Sequence, residues 1–156
     1  MTMPAAGHVM PGAAFRLQRK HVQITSTQLL ALNATPQTLV AAPGVGFALI
    51  FQGLFIQKPA GTAYGGIALG EDLSVKYTGA AGAEQGQCET TGFLDSAANQ
   101  IRYVNPYHAA SLISSITPVE DAPLVLQLLL GEIITGDSPL NCVVLYQVVD
   151  VTPQAG

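Results

Sequence analysis

The residues of this 156-residue chain with types suited to catalysis or metal binding are three histidines, ten acids and two cysteines, and their spacing assembles no such site. His8, His21 and His108 share no metal-ligand interval. Glu71-Asp72, Glu120-Asp121 and Asp137 are the oxygen donors calcium takes, yet none sits in a D-x-D-x-D-G loop. They read as solvated turn residues. Cys88 and Cys142 form no C-x-x-C pair and are expected as two free thiols in a reducing compartment. No G-K-[ST] follows Gly61, Gly65, Gly66 or Gly70, and Gly44-Val45-Gly46 leads into a strand, so no phosphate loop is written. Such glycines serve turns and bulges. No cofactor and no enzymatic activity are expected. Tyr64, Tyr103, Tyr107 and His108, on or near loops, are the candidates for a sugar-binding site, while tyrosines in general suit core and interface packing.

The charges are unevenly placed. Arg16, Arg19 and Lys20 are half of the six basic residues, whereas from His21 onward ten acids face only Lys58, Lys76 and Arg102. Met1 to Phe15 holds four Pro or Gly residues and no acid. Residues 1–20 therefore read as an extended basic arm that cannot bury enough surface to fold alone, and residues 21–156 as one acidic body. Arg16, Arg19 and Lys20 are the candidate docking residues of the arm. Three cations support only weak, salt-sensitive nucleic-acid binding, and an acidic body repels phosphate, so direct nucleic-acid binding is not expected. No apolar run approaches the ~18 residues that span a bilayer, so no membrane partner is expected. The basic cluster follows the apolar residues, the reverse of a secretory signal, which predicts synthesis in the cytoplasm.

The elements that must carry these residues are mostly strands. Thr25-Ser26-Thr27-Gln28 is a capping box and predicts one short helix through Leu32, stopped at Asn33. Strands are predicted at 37–40, 45–57, 73–77, 87–93 and 100–104, with a weaker one at 111–117. Within 45–57, Phe47, Leu49, Phe51 and Phe55 are expected on one face. Pro123 to Ile134 and Leu140 to Val151 are two apolar runs joined by Thr135-Gly136-Asp137-Ser138-Pro139, most simply a β-hairpin. About eight short strands predict an all-β fold: a jelly-roll-like antiparallel β-sandwich with one short helix and an extended N-terminal arm. Only 10% of residues are charged, against roughly 25% in ordinary soluble domains, so much of the surface is expected to be covered by other copies. Phe47, Phe51 and Phe55, with Leu126, Leu128, Val144 and Tyr146, are the candidate interface residues.

Four stretches carry a resemblance: the run from Ile24 to Gly44, Leu73-Ser74-Val75-Lys76-Tyr77, Glu89-Thr90-Thr91-Gly92-Phe93-Leu94-Asp95, and the run from Gly131 to Leu140. In this order they are similar to small virion proteins of tailed bacteriophages and prophages, several of which are capsid decoration (cement) proteins. The stretches sample residues 24 to about 151 and leave the arm uncovered. The resemblance implies a non-enzymatic subunit, a homotrimer bound to the major capsid protein at three-fold and quasi-three-fold positions of the capsid surface. The alternative is a tail or head fibre-like β module that binds a host-surface glycan or another virion protein.

Overall fold

Thr25 opens the one helix among the described residues, which are 16–68, 70–106 and 116–153 of a computed structural model. In α1 (Ser26–Leu30) the Gln28 N–H donates to Thr25 Oγ1 at 3.2 Å, and the Thr25 N–H donates to Gln28 Oε1 at 2.9 Å. These reciprocal bonds satisfy donors that a helix start leaves open. The helix stops at Leu30, short of the expected Leu32, and Asn33 instead donates from Nδ2 to the Gly131 carbonyl at 2.5 Å.

Among the described residues eight strands build the rest: β1 (Gln18–Ile24), β2 (Gln37–Val40), β3 (Phe47–Lys58), β4 (Leu73–Tyr77), β5 (Glu84–Cys88), β6 (Gln100–Val104), β7 (Leu124–Leu128) and β8 (Leu140–Asp150). They form two antiparallel sheets, ordered β1-β8-β3-β6 and β2-β7-β4-β5. The bonded pairs β1·β8, β2·β7, β3·β6 and β4·β5 are those of one long hairpin bent at β4–β5. Winding that hairpin sends alternate pairs to opposite sheets, which is the eight-stranded jelly roll. The expected all-β sandwich is therefore what the chain forms. The winding also gathers the connections β1–β2, β3–β4, β5–β6 and β7–β8 at one end.

The core lies between the sheets. Leu49, Phe51, Leu54, Ile56, Leu140, Cys142 and Val144 from the first sheet meet Leu39, Leu73, Val75, Tyr77, Leu124, Leu126 and Leu128 from the second. Tyr77 ties the layers by donating its hydroxyl to the Leu49 carbonyl.

Two expectations are corrected. The runs around β7 and β8 do not form a hairpin, because β7 pairs with β2 and β4, and β8 with β1 and β3. Two apolar strands bury more side-chain surface face to face across a core than edge to edge, and residues 129–139 are long enough to cross the ~10 Å between packed sheets. The second correction lies in β3, where the register against β8 shifts between Phe51 and Gly53. This bulge places Gln52 as the extra residue and reverses the alternation. Leu49 and Phe51 point inward before it, and Leu54, Ile56 and Lys58 after it. Phe51 and Phe55 therefore lie on opposite faces. β5 also starts earlier than expected, at Glu84 rather than Gln87. The segment 111–117 falls mostly outside the described residues.

Leu126 is 1% exposed in the core. Leu126→Ala should lower stability by about 2–5 kcal/mol in urea unfolding while leaving the native mass unchanged. A change of oligomeric state with little loss of stability would return Leu126 to an interface.

Candidate functional site

The basic residues predicted for the arm are divided by the fold. β1 begins at Gln18, so Arg19 and Lys20 are residues of an edge strand and the arm ends before them. Cross-strand register sets their directions. Arg19 pairs with Leu145 and His21 with Val143, placing both on the outer face of the sheet. Lys20 pairs with Val144 on the inward side, at the rim, and is exposed. Arg16 lies just before the strand and is exposed too. Among the described residues none of these three cations makes an ion pair.

The outer face beside this edge is apolar at its centre. One row runs His21, Val143, Phe55, Tyr103 across the four strands, and the next runs Gln23, Asn141, Gln57, Ile101. Phe55, Tyr103 and Ile101 are 46%, 44% and 64% exposed, an unusual clustering of apolar surface for a chain with this little charge. The Phe55 and Tyr103 rings lie 4.5 Å apart between centroids, tilted by 41°. Tyr103 lies across Gly53, where a Cβ would collide with it, and donates its hydroxyl to the Gln52 carbonyl at 3.3 Å. The bulge thus supplies both the gap that Tyr103 fills and the outward turn of Phe55. Gln23 Nε2 donates to Asn141 Oδ1 at 3.0 Å. The residues of both rows except Tyr103 line a groove of about 500 Å³, and no residue of either row is acidic.

At the end that carries the odd-to-even connections, polar groups are spent on holding loops together. Asp137 accepts from the Thr62 N–H at 2.7 Å and the Thr62 hydroxyl at 2.8 Å. The hydroxyl bond, then the backbone bond, holds its carboxyl below the usual carboxylate range. Tyr64 donates to the Ser138 carbonyl at 2.5 Å, and burial, helped by the charge of Asp137, pushes its phenol up to about 12. Lys58 is fully buried at the inward-facing end of β3 and donates to the Ser96 carbonyl at 2.6 Å and the Pro59 carbonyl at 3.4 Å. Burial lowers its pKa, against the opposing pull of Asp137. The β3–β4, β5–β6 and β7–β8 loops are thereby one unit. At the other end, Asp121 and Glu120 accept from the Gly44 and Gly46 N–H groups at 2.9 Å and 2.6 Å.

Other predicted sites change character. Phe51, Leu126, Leu128 and Val144 are 1%, 1%, 1% and 0% exposed, so they pack the core of a single copy and are withdrawn as interface residues. Tyr146 is half-buried and packs against that core. Phe47 and Phe55 remain exposed. Tyr64 is 2% exposed, which removes it as a sugar platform, and Tyr107, His108 and His8 lie outside the described residues. Cys88 and Cys142 are free and buried, with thiols pushed up to about 11 and about 12, so both are poor nucleophiles. Among the described residues no three His, Cys, Asp or Glu converge on a metal position. The sequence reading missed Gln23, Gln57, Ile101, Asn141 and Val143. The strand predicted at 100–104 puts Ile101 and Tyr103 on one face by its period of two, but their neighbours come from three strands distant in sequence. Comparison with protein-family models, with curated proteins and with solved structures finds no match for this chain.

The Asp137 bonds have a pH signature. A carboxyl with a lowered folded pKa contributes stability above its unfolded value and loses it as pH falls through the folded value. Asp137→Asn should therefore be less stable than the parent at pH about 6, and the two should converge as pH falls from the ordinary carboxylate range through the lowered folded pKa of Asp137, below which both side chains are neutral. Equal stability across that range, read by thermal unfolding, would mean the Thr62 bonds contribute nothing.

Proposed function

We propose that this chain is a non-enzymatic structural subunit of a tailed-phage virion, a capsid decoration (cement) protein. It assembles as a homotrimer, binds between major capsid protein subunits and stabilises the head from its outer surface. The observation that carries this reading is the pairing of an exposed, acid-free apolar sheet face with an edge strand whose cations lack acidic partners among the described residues. Both are surfaces for protein contact. The acids Asp137, Glu120 and Asp121 are occupied in joining loops. The jelly roll, a fold of viral capsid and lectin domains, agrees at the level of fold analogy, and so does the sequence resemblance.

The physics of docking is modest per contact. An exposed ion pair is worth about 0–1 kcal/mol. Arg16, Arg19 and Lys20, repeated on each copy of a trimer, act together through effective concentration. Subunits of the head are cross-linked by such a trimer and resist outward pressure better than subunits held by their own contacts alone.

A second reading, a fibre-like module for a neutral host-surface glycan, is favoured by one observation. The amides of Gln23, Asn141 and Gln57 line a groove next to Phe55 and Tyr103, and such a surface suits sugar hydroxyls above an aromatic ring. Titration with neutral oligosaccharides, followed by amide chemical shifts of residues 21–23 and 141–143, separates the two.

For the capsid reading the test is co-sedimentation with undecorated heads. Reversing Arg16, Arg19 and Lys20 to Glu together should weaken binding roughly tenfold, about 1.4 kcal/mol, and parent binding should fall as salt rises. Affinity unchanged by both treatments would remove the basic edge from the interface.

A further inference from the structure

The same chain carries a segment whose composition matches the groove on the outer face of the first sheet. We propose that residues 1–15 of one copy seat in the groove formed by His21, Phe55, Ile101 and Val143 of a neighbouring copy, so that arms are exchanged around the oligomer. The inference rests on the oligomeric part of the proposed function and needs no capsid.

Composition provides the first argument. The segment before Arg16 carries Met1, Met3, Val9, Met10 and Phe15 and no acid or base other than His8. It suits an apolar groove whose lining rows hold no acid, and it would fit a charged surface poorly. Its four Pro and Gly residues disfavour a helix and suit an extended chain laid over a sheet.

Length and origin provide the second. Fifteen extended residues reach about 50 Å, whereas four strands spaced ~4.8 Å apart are only about 15 Å across. The arm is therefore long enough to cross a neighbour's face.

Direction decides whose groove is filled. β1 runs from Gln18, opposite Tyr146, to Ile24, opposite Leu140, and the groove lies on the Ile24 half at His21, Gln23, Asn141 and Val143. The chain before Gln18 thus leaves from the half of the sheet that lacks the groove. To fill its own groove the arm must reverse and spend residues on the turn, a reversal that passage to a neighbouring copy does not demand. Passing each arm to the next copy is a head-to-tail contact, which closes into a ring when the rotation permits. It also explains how a chain with 10% charged residues hides Phe55, Ile101 and Tyr103.

The test uses the full-length chain without heads. A photo-reactive residue replaces Met10, and these copies are mixed with isotope-labelled parent copies. Illumination should link the arm to peptides containing residues 55–57 or 101–103 of the labelled copy, and the native mass should be that of an oligomer. Ile101→Asp, at an exposed position that leaves the core intact, should cut that yield about tenfold or more. A monomer would overturn the proposal together with the oligomeric reading. An oligomer whose links join the arm to its own copy, or to other surfaces, or whose yield is indifferent to Ile101→Asp, would overturn the arm's seat alone.

Discussion

The ladder between β3 and β8 is the constraint on which the other parts depend. Ten residue pairs, from Phe47–Asp150 to Gln57–Asn141, hold the two longest strands together as the centre of the first sheet. β1 and β6 attach only to the outer sides of this pair. Because side chains alternate with a period of two, one extra residue in such a ladder exchanges the two faces beyond it. The bulge at Gln52 does this once. It delivers Leu49, Phe51, Leu54 and Ile56 to a single core from both sides of the irregularity and leaves Phe55 outside. The buried layer and the exposed aromatic pair thus have one cause.

The jelly-roll winding then separates the chemistry of the molecule into zones. Strands carry the apolar residues, and the acids collect at the sheet ends. There, Asp137, Glu120 and Asp121 accept backbone and hydroxyl donors from loops distant in sequence. Burying the Lys58 ammonium costs desolvation energy, offset by two carbonyl acceptors and by the neighbouring negative charge. Ion pairing contributes little to such an arrangement, whose polar cohesion is hydrogen bonding of loops already brought together by topology.

A surface organised in this way suits protein contact. The first sheet offers an acid-free face beside an edge that carries Arg19 and Lys20. Interfaces between proteins are typically depleted of charge at the centre, enriched in aromatic residues and charged at the rim. The face and edge follow that plan within one copy. An edge strand with exposed cations also discourages unintended strand pairing, so Arg19 and Lys20 protect this edge of the sheet.

Local physics made several elements legible from the amino acids alone. Thr25 and Gln28 specify a helix start because their reciprocal bonds involve only four consecutive residues. Leu73–Tyr77 and Gln100–Val104 are strands where their residue types and pattern predict them. The scarcity of helix and the number of short apolar runs were enough for an all-β sandwich. Pairing was decided elsewhere. Two apolar runs joined by Gly136-Asp137 look the same in sequence whether they lie side by side or face each other across a core, and only the closing of the second sheet put β7 opposite β8. The bulge likewise has no local mark beyond Gly53, since its position depends on the partner strand and on Tyr103 from β6. So the sequence determined which residues prefer burial and extension. The tertiary structure alone decided which face of β3 is inside, and therefore that Phe51 and Leu126 are core while Phe55, Ile101 and Tyr103 form a surface, because a face is a property of paired strands and not of one strand.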